Sequence, residues 1–242
     1  MNLNIEQTSS CAIVYDADCI QQPVQDMFDE AHWRRTGAVT DTAAGRGTAL
    51  MLETDFGPAV MRTYRRGGWP ALISRDRFLF TGFGRSRPLN EVRMLAALIH
   101  LGLPVPRPIA GRCLRHGLTY SAVLLTRRIM PASPLAERLS QKPGLHSDWL
   151  QTGRCIRRFH DAGLVHPDLN AHNILLGDHG GGHGDVYLID FDRAFFSHGA
   201  SRLFRSNLLR LRRSLLKLWP RRRIAEFEGC WGQLMKGYNS KC

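Results

Sequence analysis

The sequence predicts an α+β fold, with strands concentrated in the first half and helices in the second. Three stretches carry that expectation. Residues 49–64, ALMLETDFGPAVMRTY, read as apolar run, tight turn, apolar run, which is the pattern of a β-hairpin. Residues 90–100 and 149–162 repeat apolar side chains every three or four positions, as amphipathic helices do. Residues 173–190 set two short apolar runs about a glycine-rich connector and end on an aspartate. A chain of 242 residues can bury a sizeable core as one large domain or as two small lobes.

Composition narrows the class of partner. The formal net charge is +12, and nearly all of the excess is arginine, since the first lysine is Lys142. Nucleic acid, an anionic membrane surface or a phosphorylated substrate would each complement that charge; a general bias towards arginine is the plainer alternative. The cysteines Cys11, Cys19, Cys113, Cys155, Cys230 and Cys242 are scattered, with no C-x-x-C pair. That spacing suggests neither a zinc site nor a disulfide framework, and a reducing compartment is expected. The opening MNLNIEQTSS has no basic region followed by an apolar core, so it does not read as a signal peptide. No helix-turn-helix, zinc-finger or RNA-recognition pattern is visible, and nucleic acid is not expected as a partner.

Along the chain, residues 1–36 give little beyond a short helix near Met27, Phe28 and Ala31. Gly45, Arg46 and Gly47 open the first hairpin, and such a turn can lay backbone N–H groups over phosphates or be a plain tight turn. Between 65 and 87, Arg65, Arg66, Arg75 and Arg77 are interleaved with Trp69, Phe78, Phe80 and Phe83. That mixture suits a polyanionic sugar, a lipid headgroup or single-stranded nucleic acid, or a solvated basic face. The helix at 90–100 shares Val92, Leu95, Ala96 and Ile99 on one face and stops at Gly102. Pro104, Pro106 and Pro108 then make an extended connector, because proline lacks the helical N–H. Residues 118–129 look like a strand, and 135–139 like a short polar helix. The tail from Arg202 spaces Phe204, Leu208, Leu211, Leu215 and Leu218 helically among basic residues. It reads either as a packed terminal helix or as one lying on an anionic bilayer.

The chemistry concentrates in residues 166–192, HPDLNAHNILLGDHGGGHGDVYLIDFD. Phosphoryl transfer asks a protein for positioning and charge neutralisation more than for covalent chemistry. Asp168 supplies a carboxylate to orient an acceptor hydroxyl and take its proton. Asn173 and Asp190 supply one neutral and one charged oxygen, the hard ligands that Mg²⁺ on ATP prefers. A lone D-x-x-x-x-N is weak; followed by an apolar strand and Asp-Phe, the combination is specific.

HPDLNAHN resembles the catalytic loop H-R-D-x-x-x-x-N of the protein-kinase-like fold, and Asp190-Phe191-Asp192 resembles D-F-G. Upstream, Gly45, Arg46 and Gly47 match the glycine-rich loop, Ala59-Val60-Met61-Arg62 falls where V-A-I-K would be, and Glu91 where the ion-paired helix Glu belongs. Within that fold, GRGT, YRRGGW, RDRFLFTG, GLPVPRPIAGR, HGLTYSA, LIDFDRA and NLLRLRRSLLK resemble the lipopolysaccharide-core kinase family over about residues 45–217. The resemblance implies a bilobal fold: an N-terminal extension (1–36), a small β-rich N-lobe (37–130) and a compact, mainly helical C-lobe (131–242). It implies ATP and Mg²⁺ as cofactors, with nucleotide bound by Gly45, Arg46, Gly47, Arg62 and Glu91, metal by Asn173 and Asp190, and Asp168 as catalytic base. The implied reaction phosphorylates the 4-hydroxyl of a 3-deoxy-D-manno-octulosonic acid (Kdo) residue on Kdo-lipid A. The implied location is the cytoplasmic face of the bacterial inner membrane, held peripherally by its anionic surface, with no obligate protein partner. Arg65, Arg66, Arg75 and Arg77 are then expected on the substrate's anionic groups.

Departures from the protein-kinase pattern sharpen the expectation. With no lysine before Lys142, Arg62 must make the ion pair with Glu91 if that pair exists. Pro167 stands where H-R-D has arginine, and no A-P-E-like segment follows Asp192. These changes argue against a phosphorylation-switched protein kinase. Two other readings remain: a kinase for another sugar hydroxyl, such as a core heptose or an aminoglycoside-like sugar, and a non-catalytic basic pseudokinase scaffold.

Overall fold

The computed structural model describes residues 1–43, 49–65, 76–141, 146–177, 185–197 and 199–240. It divides into two compact units. One comprises Met1–Ala97 and Pro106–Arg128, the other Leu98–Val105 and Ile129–Cys242.

The first unit is built on an antiparallel sheet. In chain order its elements are β1 (Leu3–Gln7), β2 (Cys11–Asp16), α1 (Glu30–Arg35), β3 (Val39–Ala43), β4 (Ala49–Leu52), β5 (Ala59–Thr63), β6 (Phe78–Leu79), α2 (Arg87–His100), β7 (Pro108–His116) and β8 (Thr119–Arg127). The strand order is β1-β2-β7-β8-β5-β4-β3, with β6 on β8. Strand alternation sorts the two faces. Leu50, Leu52, Ala59 and Met61 enter a core with Ile13, Phe28, Trp33 and Leu125. Val60 and Arg62 alternate with them and so take the opposite face of the sheet. Helix α2 lies close against β7: a Cβ on Gly111 would sit 3.0 Å from both Pro88 O and Val92 Cγ2. A larger residue there would push α2 outwards.

Two expectations change here. Residues 1–36 are not an appendage: β2, CAIVYD, is buried along its whole length and pairs with β7, while Met27, Phe28 and Trp33 join the core. Five consecutive apolar or aromatic residues, Cys11 to Tyr15, are the mark of an inner strand. The extended proline connector ends at Pro108, which opens the nine-residue strand β7. Proline is tolerated there because the first strand residue need not donate to the ladder.

The second unit is mainly helical. It contains β9 (Ala132–Pro134), α3 (Leu135–Gln141), α4 (His146–Asp161), β10 (Leu164–Val165), β11 (Ile174–Gly177), β12 (Val186–Leu188), β13 (Phe195–Phe196), α5 (Ser201–Leu218) and α6 (Phe227–Asn239). Helices α4 and α6 cross at two glycines. A Cβ on Gly153 would overlap Leu234 O, and one on Gly237 would overlap Leu150 O, so both positions require the missing side chain. Strand β11 pairs antiparallel with β12 and β9, and β10 pairs with β13. Helix α5 buries Leu208, Leu211 and Leu215. The leucine stripe of the tail therefore packs inside this unit, leaving only the opposite face for any surface. No helix among the described residues is long and apolar enough to cross a membrane.

Candidate active site

In the first unit the structure joins two of the expected residues. Arg62 Nη2 donates to Glu91 Oε2 at 2.5 Å, reaching from β5 to α2. Tyr64, two residues on and on the same strand face, donates its hydroxyl to the same oxygen at 2.5 Å. The Arg62 guanidinium also lies 4.7 Å from the Tyr64 ring centre. The Glu91 side chain is 2% exposed and that of Arg62 24%. A carboxylate so buried needs a cation and a donor, and it has both. Tyr64 escaped the sequence reading, although strand alternation puts it beside Arg62. Gly45, Arg46 and Gly47 lie outside the described residues, as do Arg66 and Arg75. Arg65 is exposed, and Arg77 Nε lies 4.0 Å from Asp76 Oδ1. Neither meets the Arg62–Glu91 pair among the hydrogen bonds and ion pairs observed.

In the second unit the loop after β10 is held from three sides. The His166 N–H donates to Asn207 Oδ1 at 2.9 Å, and its ring Nε2 meets Ile189 O at 3.1 Å. A carbonyl can only accept, so Nε2 carries the proton. Burial pushes the imidazole's pKa down, and the ring is neutral near neutral pH. This bond ties the loop after β10 to the end of β12, next to Asp190.

Asn170 Nδ2 and Asn173 Nδ2 both donate to the Asp168 carbonyl at 2.9 Å. The Ile189 N–H returns to Asn173 O at 3.1 Å. Asp168, Asn173 and Asp190 are thus connected through one backbone network. With its Nδ2 committed to Asp168 O, Asn173 presents Oδ1 on the other side of the amide.

Asp190 is the only non-glycine residue with positive φ among the described residues, at 67°. Left-handed backbone at a residue with a Cβ costs roughly 1–3 kcal/mol and persists only where the surroundings enforce it. Here Ile189 is bonded on both its N–H and its carbonyl, and Phe191 is buried 5.9 Å from Phe159 and 5.2 Å from His166, centre to centre. Asn173 Oδ1 and the Asp190 carboxylate are hard oxygens of the kind that would hold Mg²⁺.

One contact was not expected. Arg210 Nη2 donates to Asp168 Oδ1 at 2.5 Å, with side chains 44% and 36% exposed. Arg210 stands on α5 between Asn207, which holds His166, and Ser214, whose Oγ accepts from the Ala171 N–H at 3.2 Å. Asn207, Arg210 and Ser214 follow i, i+3, i+7 spacing, so one stripe of α5 faces the loop. That spacing is the only signal the sequence held, and it is hidden among the tail's other arginines.

The family model of the Lipopolysaccharide kinase (Kdo/WaaP) family matches residues 30–238. A relative from Xanthomonas oryzae pv. oryzae (strain PXO99A), named 3-deoxy-D-manno-octulosonic acid kinase, is 44% identical over 227 residues. That alignment spans 94% of this chain and 89% of the relative. A relative of the same name from Stenotrophomonas maltophilia (strain R551-3) is 41% identical over 228 residues, with the same coverage. The solved structure of WaaP in complex with acyl carrier protein superposes with a TM-score of 0.51 at 16% identity, covering 84% of each chain. That likeness supports the kinase-like α+β fold.

Proposed function

This chain belongs to the Lipopolysaccharide kinase (Kdo/WaaP) family and is a phosphotransferase, and from that premise we propose that it transfers the γ-phosphoryl group of ATP to the 4-hydroxyl of the Kdo residue of Kdo-lipid A. The observation that carries the reading is the network that fixes Asp168, Asn173 and Asp190 through Ile189. In this reading Asp168 orients the acceptor hydroxyl. The oxygen bonds to the γ-phosphorus as the bridging bond to ADP breaks, and the hydroxyl proton passes late to the Asp168 carboxylate. Asn173 Oδ1 and Asp190 would hold Mg²⁺, which would supply neutralisation of the phosphate charge. Arg62, locked by Glu91 and Tyr64, offers a guanidinium at the position where the fold usually uses a lysine.

The acceptor is favoured by the names of the relatives, which cover nearly the whole chain. The membrane setting is favoured by α5, whose Arg202, Arg205, Arg213 and Lys217 are exposed on the side away from Leu208, Leu211 and Leu215. Each basic residue near an anionic bilayer contributes about 1 kcal/mol. The test of the position is two-dimensional phosphorus–proton NMR of the purified product, which should couple the new phosphate to the proton on carbon 4. Coupling to another carbon moves the reaction to that hydroxyl. For the membrane, sedimentation with vesicles containing anionic lipid should exceed that with neutral vesicles and fall with salt. Equal sedimentation would remove the peripheral setting.

A further inference from the structure

The arginine on α5 sits where a catalytic base would ordinarily be left open to its substrate. Arg210 bonds Asp168 through Nη2, and among the described residues its guanidinium has no other partner. The side chain is 44% exposed, so solvent reaches it. The residue is also well placed to be rigid, because the turns before and after it are fastened to the loop by Asn207 and Ser214. A fixed guanidinium with one edge on a carboxylate and other donors available is a bidentate site for a second planar anion.

We propose that Arg210 recognises the carboxylate of the acceptor sugar acid and holds it beside Asp168, so that the site selects a sugar acid over neutral sugars. The inference rests on the Kdo reading and deepens it. In Kdo the carbon bearing the carboxylate and carbon 4 are separated by one ring methylene. An anchored carboxylate and a reacting 4-hydroxyl therefore belong to the same edge of the sugar, and one guanidinium–carboxylate pair can serve both. Charge makes the arginine necessary. The acceptor carboxylate and Asp168 would repel one another at close range, and a cation shared between them turns that repulsion into two attractions. A neutral heptose or hexose offers nothing to the second edge of Arg210 and gains none of this binding.

The test is a thermodynamic cycle on the full-length enzyme. The rate constant kcat/KM is measured for wild type and Arg210→Gln on Kdo-lipid A, and on the same glycolipid with the Kdo carboxylate converted to its amide. Wild type should lose on the order of 10²-fold on the amide, mostly in KM. Arg210→Gln should lose a similar factor on the native acceptor and discriminate less than about threefold between the two. Arg210→Lys keeps the charge without the fork and should recover part of the discrimination. If Arg210→Gln lowers both acceptors by the same factor, the arginine acts on Asp168 alone and the proposal is overturned. Melting curves on each variant separate a folding defect from a binding one, and discrimination between acceptors is a ratio that partial unfolding does not change. A wild type inert towards Kdo-lipid A overturns the Kdo reading itself, and this inference with it. An active wild type with additive losses overturns this inference alone.

Discussion

Arg62 and Glu91 meet at 2.5 Å across 29 residues of chain, in a protein whose first 141 residues contain no lysine. The pair resembles the lysine–glutamate pair of the protein-kinase pattern, with guanidinium in place of ammonium. Tyr64 adds a second donor to the same carboxylate oxygen, so Glu91 is held by a charge and a hydroxyl together. An arginine extends its charge over a plane with five donors, and can pair with a glutamate while another edge faces phosphate.

Removing the cation should expose the cost of the buried acid. Arg62→Met removes a cation from the buried Glu91 carboxylate and is expected to destabilise the fold by roughly 3 kcal/mol, as broken buried pairs do. Urea unfolding measures it. The double variant Arg62→Met, Glu91→Leu should regain much of the loss, because no unpaired charge remains. A single variant within about 0.5 kcal/mol of wild type would mean that the pair contributes nothing to stability.

Asp190 separates stability from function. Its φ of 67° suits glycine and penalises alanine. Asp190→Gly should therefore be more stable than Asp190→Ala by about 1 kcal/mol or more. Both should lose Mg²⁺-dependent turnover. Equal melting temperatures for the two would show that the left-handed backbone is not retained, and full turnover in either would remove Asp190 from the metal site.

Asp168→Ala should lower kcat by roughly 10²–10⁴-fold if the carboxylate accepts the acceptor's proton. Steady-state assays at saturating ATP decide it. A loss under about threefold would reassign Asp168 to structure, where its Arg210 contact alone would explain it.

Acid should weaken the second unit through His160. Burial pushes this imidazole down from 6.5 to about 4; a hydrogen bond with the Asn207 side chain and the charge of Asp161 oppose that shift, and Arg157 and His166 reinforce it. The ring donates to or accepts from the Tyr238 hydroxyl at 2.8 Å and stacks on Phe204 at 4.4 Å. Between these two values the unfolded chain binds a proton that the folded chain does not, so stability falls as pH drops from 6.5 to about 4. The loss from this one group is up to about 3 kcal/mol. Urea unfolding across that window, compared with His160→Gln, should show the slope reduced in the variant. An unchanged slope would assign the acid sensitivity to other groups, of which His166, also shifted down by burial, is the first.

What was legible in the chain follows from how local each feature is. Asp168, Asn173 and Asp190 lie within a single loop and hairpin, so their spacing alone pointed to the chemistry. The pairing of Arg62 with Glu91 is long-range; it was reached by resemblance to a pattern rather than by periodicity. Arg210 reaches Asp168 over 42 residues, and one arginine among many on a helix carries no mark of its partner. Residues 1–36 were misread for a different reason. CAIVYD is a buried-strand run, but its sheet neighbour β7 opens on Pro108 and contains Gly111, which disguised the pairing partner.

The most direct measurement is mass spectrometry of Kdo-lipid A after incubation with the enzyme, ATP and Mg²⁺. Phosphorylation of Kdo-lipid A that depends on Asp190 predicts one added phosphate from wild type and none from folded Asp190→Asn. No added phosphate from folded wild type, or equal phosphate from wild type and the variant, would contradict it.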